Sequence, residues 1–286
     1  MNSRIHSEAE SNEREAQREY NESVDSIVEN RVNTVTNDSN TVYDLLAGYI
    51  DEDGGVHKTF TIREMNGTDE EYINRSDIKS NGAKVATALL TRCVTSVGSL
   101  TKKDMKNPKD WENIFKNMLT GDRDKIILEI RRQSIGETIE TAHVCPNPEC
   151  KAKLKTEVSL DELEINEFNG MREIPFVLPK GYTDKKGELH REGMMRRPNG
   201  LDSELLTPMA KNNIAKAETL LLTRLCRFDD GTYVDESVMA SLSIKDRQYL
   251  QKLLADNQFG IEMSVYVTCT QCGEEFKGSL NSTNFI

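Results

Sequence analysis

Gly48-Tyr49-Ile50-Asp51-Glu52-Asp53-Gly54-Gly55-Val56-His57 and Gly181-Tyr182-Thr183-Asp184-Lys185-Lys186-Gly187-Glu188-Leu189-His190 share Gly, Tyr, Asp, Gly and His at an offset of 133. Without a gap, Arg63, Asn66, Gly67, Asp69 and Glu71 fall on Arg196, Asn199, Gly200, Asp202 and Glu204, giving ten identities over the 24 positions 48–71. After one deletion Leu89-Leu90-Thr91-Arg92 lies on Leu221-Leu222-Thr223-Arg224. At offset 124, Asp122-Arg123, Gly136 and Cys145 meet Asp246-Arg247, Gly260 and Cys269. The offset drifts in one direction by loop-sized steps, as insertions between structural elements do. A chain that repeats itself at fixed landmarks is built from copies of one unit. The expected organisation is an acidic N-terminal arm at 1–47, a first module at 48–165, a linker at 166–180 and a second module at 181–286.

Each module opens on a Gly-containing turn, followed in the first by an alternating stretch at 57–63 that reads as a strand. Asn66-Gly67 and Asn199-Gly200 mark second turns, because Asn and Gly tolerate positive φ. Val85, Leu89, Leu90 and Val94, like Ile214, Ala217, Leu221 and Leu225, recur at helical spacing. Asn107-Pro108 starts a helix carrying Trp111, Ile114, Phe115, Met118 and Leu119, and Thr120 or Ser243 caps the next. Gly136 and Gly260 stop those helices. Strands at 137–144 and 261–268 then lead to cysteines, and 154–158 and 275–280 return from them. The fold class is α+β: two tandem copies of a helical module, each bearing a β-hairpin knuckle.

Six cysteines fall into two classes. Cys145-Pro-Asn-Pro-Glu-Cys150 and Cys269-Thr-Gln-Cys272 occupy equivalent hairpin tips, where a tight turn aims two sulfurs at one point. Structural zinc takes four ligands, and each module offers two. One tetrahedral four-cysteine site, made of Cys145, Cys150, Cys269 and Cys272, therefore joins the modules about a pseudo-twofold axis as a split zinc ribbon, with one structural Zn2+ per chain. The 118 residues between Cys150 and Cys269 follow from the duplication. Disulfides or redox pairs are the competing reading, opposed by a reducing cytoplasm and the lack of a βαβ context. Cys93 and Cys226 lie on apolar helix faces as small core residues. His57 and His190 read as hydrogen-bonded turn histidines. His143 has Val267 as its counterpart and is not counted as a ligand. Asp69/Glu71 and Asp202/Glu204 read as acidic residues at helix starts, where they complement the dipole.

Nothing resembles a Ser/His/Asp set, a phosphate-cradling glycine loop or a His-Glu-x-x-His helix. The chain has 286 residues and a net charge of −11. Residues 1–55 hold 13 acidic and 4 basic residues, which leaves a nearly neutral body with no electrostatic reason to bind a nucleic-acid backbone. No apolar run approaches the ~20 residues of a membrane span, and the first thirty residues lack the apolar core of a secretion signal. Within residues 7–36, Tyr20, Val24, Ile27, Val28, Val32 and Val35 form a narrow stripe if helical, suited to docking on a partner; the other reading is a disordered acidic tail.

Trp111-Glu-Asn-Ile-Phe115, Ile130-Arg-Arg-Gln-Ser-Ile-Gly-Glu137, Cys145 with Cys150, and Val158-Ser-Leu-Asp-Glu-Leu163 together resemble the baseplate-hub proteins of contractile-tailed, T-even-like bacteriophages. Phe259-Gly260, Cys269-Thr-Gln-Cys272-Gly273-Glu and the final Asn284-Phe285 are similar to the related tail and baseplate assembly proteins. The resemblance implies a non-enzymatic structural component of a phage tail baseplate, in its hub or wedge region. Its partners would be other baseplate and tail proteins, in a ring or other multi-copy assembly, with neither nucleic acid nor membrane. It would be assembled in the host cytoplasm and reside in the virion. The alternatives are an assembly chaperone absent from the mature virion and a zinc-ribbon regulator contacting nucleic acid or polymerase.

Overall fold

A bulged strand pair sets the pattern of the first half. β1 (Val42–Ile50) pairs antiparallel with β2 (Val56–Ile62), and the register shifts between Asp44 and Tyr49, where Gly48 takes a φ of 81°. The chain is known here from a computed structural model that describes residues 41–280. The expectations for the arm up to residue 40 and for Asn284-Phe285 lie outside the described residues. α1 (Gly67–Ile73) and α2 (Ser76–Lys79) follow, and α3 (Gly82–Cys93) runs straight into β3 (Val94–Val97), which pairs with β2 and with β4 (Leu100–Thr101). α4 (Pro108–Asn117) and α5 (Thr120–Ser134) complete this half before the hairpin β5 (Thr138–Val144) and β6 (Lys153–Ser159). Short β7 (Ile165–Asn166) leads into the second half.

The second half repeats these devices. β8 (Glu173–Thr183) pairs with β9 (Leu189–Arg196), with its register shift between Val177 and Tyr182 and Gly181 at a φ of 89°. After α6 (Gly200–Ala210), α7 (Ile214–Leu225) runs into β10 (Cys226–Phe228) beside β9. α8 (Glu236–Ser241) and α9 (Ile244–Asp256) precede β11 (Gly260–Ile261) and the hairpin β12 (Ser264–Thr268) and β13 (Glu275–Ser279). The mixture of helices and small antiparallel sheets is α+β. β1 and β8 begin upstream of the boundaries expected at 48 and 181, so 42–47 and much of the expected linker at 166–180 are strand. The bulge glycine reads as a turn in the sequence, yet the strand continues on both sides of it.

Sheet and helices enclose one core in each half. Leu45, Phe60, Ile62, Leu89, Leu90, Val97, Trp111, Phe115 and Ile130 fill the first. Ile174, Phe176, Leu178, Met195, Leu222, Leu225, Phe228 and Leu250 fill the second. A third core belongs to both halves: Ile139, Leu154, Val158 and Leu160 of the first meet Ile261, Val265, Val267 and Leu280 of the second. From Val42 onward the chain accordingly forms one compact unit rather than two.

One buried carboxylate organises each half. Asp69, fully buried, closes a capping box with Asn66 and accepts two hydrogen bonds from Arg63 at 2.6 and 2.9 Å and one from Arg92 at 2.6 Å. Asp202 does the same with Asn199, Arg196 at 2.7 and 2.9 Å and Arg224 at 2.6 Å. A second aspartate ties the helix to the bulge: Asp122 accepts from the Ala47 N–H at 2.9 Å and Asp246 from the Lys180 N–H at 2.7 Å. Here the halves also diverge. The Ser243 hydroxyl donates to Asp246 and caps α9, whereas Leu119 stands at that place in the first half and α5 has no side-chain cap. Thr120, expected as the cap, is instead the first helical residue, its N–H bonded to Pro198 O of the second half at 3.2 Å. Asp122 Oδ2 is left buried without a hydrogen bond, and burial pushes its carboxyl pKa up.

The Asp69 clamp yields an acid-sensitivity prediction. Hydrogen bonds from Arg63 hold the Asp69 carboxyl well below the usual range; against the opposing effect of burial, Arg196 and Arg224 hold Asp202 down as well. A depressed folded pKa means stabilisation that is complete above the unfolded value and lost as pH falls below about 4. Asp69→Asn or Asp202→Asn is expected to cost about 3 kcal/mol at neutral pH, the low end for a broken buried ion pair because the arginines reach solvent. Urea titrations across pH should show that penalty shrinking as the wild type is acidified.

Candidate metal centre

The third core places the cysteines. Residues of β5 alternate outward and inward, with Ile139, Thr141 and His143 buried, so the strand arrives at its tip with Cys145 pointing inward, 2% exposed. β12 delivers Cys269 in the same way, also 2% exposed. Past the strands, the Cys145 N–H bonds to Ala152 O at 2.9 Å and the Cys269 N–H to Glu274 O at 2.8 Å, closing both loops. In the longer loop Asn147 O accepts from the Cys150 and Lys151 N–H groups at 3.1 Å each. In the shorter one the Gly273 N–H turns back to Cys269 O at 2.9 Å. The residue after each second cysteine is left-handed: Gly273 at a φ of 76° and Lys151 at 48°.

The sulfurs of Cys145, Cys150, Cys269 and Cys272 all lie within 4.8 Å of one another. The near pairs cross between the hairpins, Cys145 to Cys272 at 3.6 Å and Cys150 to Cys269 at 3.8 Å. Exchange of the two knuckles maps one pair onto the other, so the sulfurs obey a local twofold relation. That relation does not extend to the bodies: α3 and α4 pack on α6, and α5 packs on β11, with no comparable contact of α7 with α1 among the described residues. No disulfide forms among the described residues, and the crossed pairing is not that of a Cys-x-x-Cys redox couple. Four sulfurs at a metal–sulfur distance of about 2.3 Å span tetrahedral edges of about 3.8 Å. The cluster is therefore compatible with one metal ion held between the halves.

The electrostatics are those of sulfurs gathered without a counter-charge. Burial pushes the Cys145 thiol up to about 12. An N–H from Ala152 favours the Cys150 thiolate, yet burial and the adjacent sulfurs of Cys272 and Cys269 leave its pKa raised. Backbone N–H groups of Cys272 and Gln271, aimed at the sulfur, bring Cys269 down to about 7. A cation would supply what the other thiols lack, since thiolate is the ligand form.

The remaining candidates are structural in their contacts. Burial raises Cys93 to about 11 and Cys226 to about 12, and both sit at helix-to-strand junctions inside their cores. His143 bonds Thr141 Oγ1 at 2.7 Å rather than facing the sulfurs, and its ring fills the space that a side chain at Gly278 would need. His57 bonds Asp51 at 2.8 Å inside its turn. The arginine clamps on Asp69 and Asp202 were missed by pattern reading, although Arg63, Arg92, Asp69 and their counterparts are all among the repeated residues.

A family model described as T4 bacteriophage base plate protein matches residues 57–284, a span holding all four cysteines and nearly all of both halves except β1. The chain belongs to this family. No curated protein and no solved structure matches it. As a member of the base plate family, the chain carries its cysteine cluster where its two halves join.

The knuckle geometry is testable by stability alone. Lys151→Gly should raise stability by about 1 kcal/mol by relieving a left-handed side chain, and Gly273→Ala should lower it by a similar amount. Thermal unfolding of the reduced protein checks both signs.

Proposed function

We propose that this chain is a non-enzymatic structural component of a phage tail baseplate, in its hub or wedge region, whose two halves arose by tandem duplication and are stapled by one Zn2+. The observation that carries the reading is the meeting of four cysteine sulfurs from two hairpins, in a chain of the base plate family, within 4.8 Å. Cys145, Cys150, Cys269 and Cys272 would hold the ion. Four thiolates leave no open position for substrate, so the metal fixes the hairpins against each other and does no chemistry. By comparison with small zinc peptides the ion contributes on the order of 10 kcal/mol to the folded state. The duplication is supported by the matching bulges, capping boxes and arginine clamps of the two halves.

A body joined through a shared core between its halves suits a part that acts through contacts with other tail proteins. Among the described residues no helix is long and apolar enough to cross a membrane. The acidic arm ahead of β1, with apolar residues Tyr20, Val24, Ile27, Val28, Val32 and Val35 in a charged background, is the segment we assign to docking on a partner.

Two measurements test the reading. Reduced, exhaustively dialysed protein should retain about one zinc per chain, and Cys150→Ser should lose it together with a large drop in melting temperature. No zinc in the native chain, or zinc indifferent to Cys150→Ser, contradicts the staple. Purified virion tails should contain the chain in fixed stoichiometry; its presence only in unassembled extracts would make it an assembly factor instead.

A further inference from the structure

The turn between β8 and β9 carries a second cluster that the base plate reading leaves unused. Asp184, Glu188 and His190 each offer a ligand atom, all within 4.8 Å of one another. His190 is 6% exposed, its ring stacked near Tyr182 and tilted against Phe228. Its Nδ1 bonds the Asp230 carboxylate at 2.5 Å, while its Nε2 is buried with no hydrogen bond. That nitrogen faces Asp184 Oδ2 at 3.8 Å. Asp184 Oδ1 is already used, accepting the Lys186 and Glu188 N–H groups at 2.8 and 2.9 Å, which leaves Oδ2 for the cluster.

The equivalent turn of the first half shows what a purely structural histidine looks like. Asp51 Oδ1 accepts the Asp53 and Gly55 N–H groups in the same way, but His57 Nε2 closes directly onto Asp51 Oδ2 at 2.8 Å. Gly55 stands at the place of Glu188. Where Asp230 holds the far side of His190, Gly98 lies flat against the His57 ring. The second half has thus gained two carboxylates around the same histidine and opened the Asp–His contact from 2.8 to 3.8 Å.

We propose that His190 Nε2, Asp184 Oδ2 and a Glu188 carboxylate oxygen form a site for a divalent first-row transition ion, separate from the cysteine cluster. Asp230 fixes the tautomer: an Nδ1–H donated to a carboxylate turns the Nε2 lone pair toward the other two acids, the usual outer-shell arrangement of a metal-bound imidazole. One neutral imidazole and two carboxylates balance a 2+ charge. One nitrogen and two oxygens suit an ion such as Mn2+ or Zn2+, whose remaining positions would take water. The surroundings favour positive charge at that nitrogen, since Asp230, and secondarily Asp184, raise the His190 pKa. A proton there is the competing occupant, and it is distinguishable by experiment.

The test uses the full chain with its cysteine cluster loaded with zinc, so that thiolates do not compete, and Mn2+ as the probe. Adding Mn2+ up to about 1 mM should broaden the His190 ring resonances selectively, with His57 unaffected, and Glu188→Gln, at an exposed position, should weaken the effect at least about tenfold. With diamagnetic Zn2+ in place of Mn2+, His190 should show a single ring N–H, at Nδ1. Absence of selective broadening, equal broadening of His57, or unchanged affinity in Glu188→Gln overturns the site.

Discussion

Two hairpin tips separated by 118 residues of sequence hold their sulfurs within 4.8 Å, and the arrangement of the molecule depends on that meeting. Each half builds its own sheet, helices and core, but neither half buries the inward face of its hairpin alone. The inward faces of β5–β6 and β12–β13 bury each other, and the buried cysteines at their tips lie at the end of the same seam. Exposed apart, these faces would present apolar strands to water; together they make one unit of what the sequence reads as two. A metal held by these four sulfurs would add a cross-link that closes a long loop, where the entropic advantage of a constraint is greatest.

The two halves show how repeated local devices coexist with unlike surroundings. Asp69 and Asp202 gather equivalent pairs of arginines, and Asp122 and Asp246 grip equivalent bulges. Yet the contacts between halves are not reciprocal, because α6 serves as a platform for α3 and α4 while α1 has no such role. Once the halves meet this way, equivalent positions face different neighbours. Leu119 lies beside Asn199 instead of capping its helix, and Gly121 is pressed against Phe259 and Gly260. In the exposed turns the divergence runs the other way, adding Glu188 and Asp230 around His190.

Much of this was legible from residue pattern. The repeat landmarks located the helix starts after Asn66 and Asn199 and the pairing of the two cysteine motifs, but not the local reason: the two Asn residues, read as positive-φ turn positions, are extended N-caps at φ −128° and −124° whose capping boxes the pattern did not reveal. The strand starts were not legible: the bulge glycines Gly48 and Gly181 imitate boundaries. Nor was the role of Arg92 and Arg224, which reach a carboxylate 23 and 22 residues away; helix pattern marks them only as polar positions. Exchange of the two knuckles maps the near sulfur pairs onto each other while the contacts between the bodies are not reciprocal, since sequence equivalence says nothing about which surface each copy turns to the other.

In this base plate family member the two halves meet through the hairpin seam and through the packing of α3 and α4 on α6 and of α5 on β11. The most direct test of the central claim is X-ray absorption at the zinc edge of the reduced chain carrying one equivalent of metal. The account requires four sulfur scatterers at about 2.3 Å and no nitrogen or oxygen ligand. A mixed sulfur and nitrogen or oxygen shell, or a shell with only two sulfurs, would show that the two knuckles do not share one ion.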